Sequence, residues 1–312
     1  MTHAQTRITL GVLLTAITLG LVFGDLAINR ATGLVTASPW RAGQTIAPVF
    51  WLVLPAILLV GCWEFFRMLR ARGFPCRPVI AATFIVLLMA AAWVEIRRPC
   101  GTQEWLNVRG MELYLLLVMG LVFTTFVAYI ITIERTGGDM AGAMAGVGWT
   151  VLIVLTLGVP GVFMAKVRFL SADPVEGCLY LLLVLATVKL GDVGAYAVGS
   201  TLGRHKLVPT LSPKKTWEGL AGAIVGGTGA ALAVGCIWLR FTWPQMLVFG
   251  VAVSIAGVLG DLGESLLKRA CGVKDSGPIP GFGGMLDILD SVLGAAPVAY
   301  LVLVLLTDAL PS

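Results

Sequence analysis

Apolar residues run through this chain in long blocks separated by short polar breaks. A helix that crosses the hydrocarbon core of a bilayer needs about 20 mostly apolar residues. Nine blocks approach or exceed that length, near residues 8–28, 46–66, 78–96, 111–133, 141–165, 177–199, 218–240, 244–266 and 286–307. A membrane β-barrel is built from short alternating strands and would not give uninterrupted runs of this kind. The pattern therefore predicts an all-α, polytopic transmembrane protein of about nine spans. The first block follows Arg7 but is too long for a secretory signal core and has no small-x-small cleavage site before Asn29, so it reads as a retained helix.

Composition agrees with that pattern: 58% of residues are hydrophobic, 12% are charged and the mean hydropathy is +0.92. In water such a chain would expose large apolar patches. The net charge of +5 is informative through its placement. With loops assigned to alternate sides, Arg7, Arg67, Arg70, Arg72, Arg77, Arg135, Arg204, Lys206, Lys214, Lys215, Lys268, Arg269 and Lys274 share one side. Arg30, Arg41, Arg97, Arg98, Arg109, Lys166, Arg168 and Arg240 fall on the other, which predicts a cytoplasmic N-terminus and an external C-terminus. The cysteines Cys62, Cys76, Cys100, Cys178, Cys236 and Cys271 form no CxxC pair, and His3 and His205 are the only histidines, so neither a redox motif nor a zinc site is indicated.

The kind of loop changes along the chain. Up to about residue 170 the spans hold few ionisable residues apart from Asp25, and this part, 1–170, reads as a transmembrane scaffold on the lipid side. In 171–312 polar residues enter the spans at Lys189, Asp192, Asp261, Glu264, Asp287 and Asp290, and two loops become rich in Lys, Gly and Pro, so any catalytic region is expected in this part. Gly219, Gly222, Gly226 and Gly227 lie on an apolar helix with no strand before them, so close helix packing explains them better than a nucleotide loop. Trp51, Trp63, Trp105 and Trp243 near span ends read as interfacial anchors.

A carboxylate near the bilayer core costs about 2.5 to 3.5 kcal/mol on insertion scales and asks for a partner or a polar cavity. Asp261, Ser265 and Lys268 are spaced i, i+4 and i+7, on one helix face, with Glu264 beside them; Asp287 and Asp290 are three apart on the next span, next to Ser291. Carboxylates from two helices suit Mg²⁺, which binds one or two carboxylates together with substrate phosphate. Simple ion pairs, Asp261 with Lys268 or Lys189 with Asp192, are the bland alternative. It weakens because the carboxylates outnumber their cations and adjoin the Gly/Pro-rich loop Gly272 to Gly284. Lys214 and Lys215 stand just ahead of a helix starting near Trp217, an arrangement suited to an anion, although lysine-rich loops also serve as topology signals or headgroup contacts.

The stretches GDVGAYAVG, LSPKKTWEG and GDLGESLLKRACGVKDSGPIPGFGGMLDILDS resemble the signature blocks of the phosphatidate cytidylyltransferase (CDP-diacylglycerol synthase) family. The resemblance covers roughly the C-terminal 40% of the chain. It places the family's Ser, Lys-Arg, Lys-Asp, Gly-Gly and paired Asp on Ser265, Lys268, Arg269, Lys274, Asp275, Gly283, Gly284, Asp287 and Asp290. It implies a membrane nucleotidyltransferase of phospholipid biosynthesis that joins CTP to phosphatidate and releases pyrophosphate. Asp261, Asp287 and Asp290 would hold Mg²⁺, as two divalent ions or one divalent with one monovalent, and with Ser265 and Lys268 would form the catalytic set. Asp192, Lys214, Lys215, Arg269, Lys274, Asp275, Gly283 and Gly284 would bind substrate. The implied partners are CTP, phosphatidate and membrane lipids, with no nucleic acid and with a homodimer left open; the implied location is the inner membrane, active site toward the cytoplasm.

Two positions depart from the family pattern. Phe282 stands where the pattern has His before Gly-Gly, and Ile288 where it has Arg after the first Asp, which removes a fixed cation that would pair with phosphate. The rival readings are an enzyme using CTP on another lipid, such as a polyprenol-type alcohol or an archaeal-type phospholipid, a family member that binds lipid without catalysis, and a transporter, for which broken helices in repeated positions are lacking.

Overall fold

The computed structural model describes residues 24–25, 47–96, 103–136, 138–171, 173–277 and 283–307, and the side chains of 103–112 and 136 are left aside. Its helices are α1 (Pro48–Ala71), α2 (Pro78–Ile96), α3 (Gln103–Thr136), α4 (Met140–Ile153), α5 (Val159–Arg168), α6 (Pro174–Leu202), α7 (Trp217–Trp238), α8 (Trp243–Ala270) and α9 (Met285–Thr307). A π-helical turn, Val154–Gly158, joins α4 to α5, so that Met140–Arg168 forms one span. The turn sits where Pro160 has no N–H to give the carbonyl of Thr156, which loosens the ladder locally. Eight helical segments of the described chain are long and apolar enough to cross a membrane. The expected first span, 8–28, lies outside the described residues except for Gly24 and Asp25.

Helix starts follow their local sequence. Pro occupies a first-turn position in α1, α5, α6 and α8, where its missing N–H costs nothing. Asp139 caps α4 through the N–H groups of Ala141 and Gly142, and Thr216 caps α7 through that of Gly219 at 3.1 Å. Asp25 is fully buried and accepts from Val49 and Phe50 at the start of α1, so its intramembrane carboxylate is explained by a helix end.

The sequence reading missed a short antiparallel hairpin, β1 (Lys206–Val208) and β2 (Ser212–Thr216), with Lys206 opposite Thr216 and Val208 opposite Ser212. Lys214 and Lys215 therefore stand on a strand, directly ahead of a helix that does begin at Trp217. The N–H of Trp217 reaches the carbonyl of His205 at 3.0 Å, which locks the hairpin onto α7. Trp51 stacks on Phe169 with ring centroids 5.5 Å apart.

The loops sort to two ends. Arg72 Nε donates to the carbonyl of Cys271 at 3.1 Å, and Arg269 reaches the carbonyl of Leu211 at 3.5 Å, so the end of α1, the hairpin and the loop after α8 share one end. Lys166 and Glu95, 2.9 Å apart, mark the other.

Candidate active site

Four helices, α6 to α9, and the hairpin surround a cavity of about 600 Å³ at the end that carries the hairpin. Among the described residues its lining includes Lys189 and Asp192 of α6, Lys206, Lys214 and Lys215 of the hairpin, Asp261 and Lys268 of α8, and Asp287, Asp290 and Ser291 of α9. Leu190 and Val193 of α6 and Leu259 of α8, sequence neighbours of the lining residues Lys189, Asp192 and Val258, are exposed. The cavity thus takes only lysines among its charged groups from the hairpin, takes carboxylates together with Lys189 and Lys268 from the helices, and has exposed apolar residues beside it.

The acidic side divides into two groups. Asp261, Glu264 and Asp290 each bring an oxygen to within 4.8 Å of the others. Asp261 pairs with Lys215 at 2.8 Å rather than with Lys268. Glu264 is buried and pairs with Lys268, while its Oε1 has no hydrogen-bond partner among the described residues. A buried carboxylate oxygen without a donor is costly, and an all-oxygen donor set of this size fits a hard divalent cation such as Mg²⁺. Glu264 had been read only as a neighbour of Lys268; the geometry puts it in the carboxylate cluster.

Asp287 belongs to a different arrangement. One oxygen meets Lys268, and the other accepts from Ser276 N at 2.9 Å, Ser276 Oγ at 2.6 Å and Gly284 N at 2.7 Å. It ties the loop after α8 to the first turn of α9. Gly283, at φ +82°, and Gly284 are buried in this knot, where a Cβ would run into Asp287 at the first and into Ser276 and Glu64 at the second. The N–H of Gly284, a residue expected to bind substrate, donates to Asp287.

Glu64 completes the knot from the far half of the sequence. Its carboxylate accepts from Met285 N at 3.0 Å, Leu286 N at 2.9 Å and Ser276 Oγ at 3.3 Å, so a side chain of α1 caps α9. Sequence reasoning passed over it as part of the scaffold. The available signal was a glutamate in the otherwise apolar run GCWEFF, which the cost of intramembrane charge should have flagged.

On the other flank, Lys189 lies 3.4 Å from Asp192, and Asp192 accepts from Ser291 Oγ at 3.2 Å. Ser265 is half-buried and Arg269, Lys274 and Asp275 are exposed; the described lining of the cavity includes none of the four. Phe282 lies outside the described residues, and Ile288 is half-buried.

The fold is that of a polytopic helical membrane protein, and its polar cavity, with lysines opposite a carboxylate cluster, has the groups that a phosphate-bearing ligand and a divalent cation require. Residues 31–306 match the model of the cytidylyltransferase family, and the chain belongs to that family. It is 34% identical over 287 residues to the phosphatidate cytidylyltransferase of Mycobacterium bovis, covering 90% of this chain and 89% of the relative. It is also 32% identical over 301 residues to that of Synechocystis, covering 91% and 96%.

Proposed function

We propose that the protein transfers the cytidylyl group of CTP to phosphatidate, forming CDP-diacylglycerol and pyrophosphate. The observation that carries this reading is the cavity itself, in which Lys206, Lys214, Lys215 and Lys268 face Asp261 and Asp290 beside an exposed apolar helix surface. A phosphate oxygen of the lipid attacks the α-phosphorus of CTP, a new P–O–P link forms, and the bond to the β-phosphate breaks. Such a displacement needs alignment and charge neutralisation rather than a covalent enzyme intermediate.

Lys206 and Lys214 on the hairpin receive the triphosphate, and Lys215, held by Asp261, is placed between nucleotide and carboxylates. The lipid phosphate enters past Leu190, Val193 and Leu259 while its acyl chains stay in the bilayer. Asp261, Glu264 and Asp290 would hold Mg²⁺, which when bound neutralises charge on the phosphate oxygens. Asp287 with Glu64 keeps the start of α9 in place, which in turn sets Asp290. The lysine-rich end faces the cytoplasm, where CTP is available, in keeping with the excess of cations on that side.

Purified protein given CTP, Mg²⁺ and phosphatidate releases pyrophosphate only when the lipid is present. Release with a polyprenol-type alcohol but not with phosphatidate would move the assignment to another lipid, and no release with any lipid would leave a lipid-binding protein. Single cysteines introduced at Lys214 or Lys274 label from the cytoplasmic side; labelling from outside removes the nucleotide reading.

A further inference from the structure

Lys189 sits within a 29-residue apolar span, where an ammonium is costly unless it has work or a partner. Its Nζ crosses from α6 to α9, 3.0 Å from the carbonyl of Ile288 and 3.4 Å from Ser291 Oγ, with Asp192 also at 3.4 Å. Two of these three contacts are long for an N–H···O bond, so two of its donors are weakly held and free to turn to a stronger acceptor. The neighbouring lysines differ. Lys215 lies 2.8 Å from Asp261, and Lys268 is caught between two carboxylates with its side chain 12% exposed, against 45% for Lys189.

Position 288 matters because of what it lacks. It lies three residues before Ser291, on the same side of α9, and the Lys189 ammonium touches the backbone of the one and the hydroxyl of the other. A longer cation carried on residue 288 would start from the backbone that Lys189 touches, but the residue there is Ile, whose own side chain is not in the described lining of the cavity. We propose that Lys189 is a substrate-phosphate ligand, which delivers from α6 the cation that α9 lacks at position 288. The identity of the phosphate as that of CTP or phosphatidate rests on the proposed function; the anion site itself does not. An ammonium is a point charge without the planar fork of a guanidinium, so the site grips phosphate without fixing its orientation in two places.

The test uses Lys189→Gln, which keeps a donor for Ile288 and Ser291 but drops the charge, with Lys189→Met as a second variant. Turnover with CTP and phosphatidate, and affinity for pyrophosphate by titration in detergent, each fall about tenfold to a hundredfold in Lys189→Gln at unchanged thermal midpoint. Adding Ile288→Arg to Lys189→Gln recovers most of the loss. If the parent protein binds pyrophosphate through Lys189 but turns nothing over, the function reading fails and this one stands. If Lys189→Gln and Lys189→Met keep both affinity and turnover, or if Ile288→Arg recovers neither, Lys189 is only the counter-ion of Asp192 and the proposal is overturned.

Discussion

Helices α1–α5 meet through the ends of side chains, whereas α6–α9 meet backbone to backbone. In the first group Leu58, Phe65, Leu69, Ile85, Leu88 and Leu157 are essentially buried, and a Cβ built on Gly61 would lie 3.6 Å from a methyl of Leu157. In the second group a Cβ on Gly222 would lie 2.5 Å from the carbonyl of Gly194, one on Gly226 2.6 Å from that of Leu190, and one on Gly260 2.5 Å from that of Asp290. Small residues let membrane helices approach closely. The consequence here is chemical as well as mechanical, because aspartates are short. Asp261 and Asp290 share one cluster since α8 and α9 touch at Gly260 and Gly294, directly beside them. The side-chain-packed half provides support, and the backbone-packed half provides convergence.

The largest effect expected falls on the convergent half. Asp261→Asn and Asp290→Asn each lower turnover on the order of 10²- to 10³-fold, as removal of a charge stabiliser from a phosphoryl-transfer site does, with the protein still folded by gel filtration. Incorporation of labelled CTP into lipid measures it, and retained activity in both would dissolve the distinction between the halves.

Gly260→Ala sharpens the comparison against Gly61→Ala. The first pushes α8 from α9 and costs about 1 to 3 kcal/mol of stability. It also separates Asp261 from Asp290, so turnover falls with the thermal midpoint. The second meets ordinary contact with Leu157 and Leu286 and leaves both nearly unchanged. Equal effects at the two sites would show that backbone proximity has no special role.

Glu64→Gln is the smallest and breaks the comparison from the other side, since it tests whether the supporting half reaches the site. The amide keeps one acceptor for the N–H groups of Met285 and Leu286 and loses the charge facing the helix end. A surface charge at a helix terminus contributes about 0.3 to 1 kcal/mol and a partly buried one up to about 2, so turnover drops several-fold with a modest loss of stability. A full loss of turnover at unchanged stability would instead give Glu64 a direct part in catalysis.

Much of the site was legible because a charge inside a membrane span is expensive wherever it points: Asp192, Asp261, Asp290 and Lys268 stand out on that ground alone and do line the cavity. The same rule applied to Glu64 would have found it, had the apolar block around it not been read as scaffold. Arg269, Lys274 and Asp275 followed from family spacing and Ser265 from helix spacing as well, and the described lining of the cavity does not include them.

The spans themselves were written in the chain, because a helix in lipid satisfies its own backbone hydrogen bonds and needs only a run of apolar residues to do so. The partners of the charges were not. That Lys215 takes Asp261, that Lys268 bridges Glu264 and Asp287, that Lys189 crosses to Ile288, and that Glu64 caps a helix more than 200 residues away depend on which helices lie side by side and how closely. Hydropathy is a property of each segment alone, whereas an ion pair or a cap needs atoms from two segments within about 3 Å, and only the packed tertiary structure brings them there.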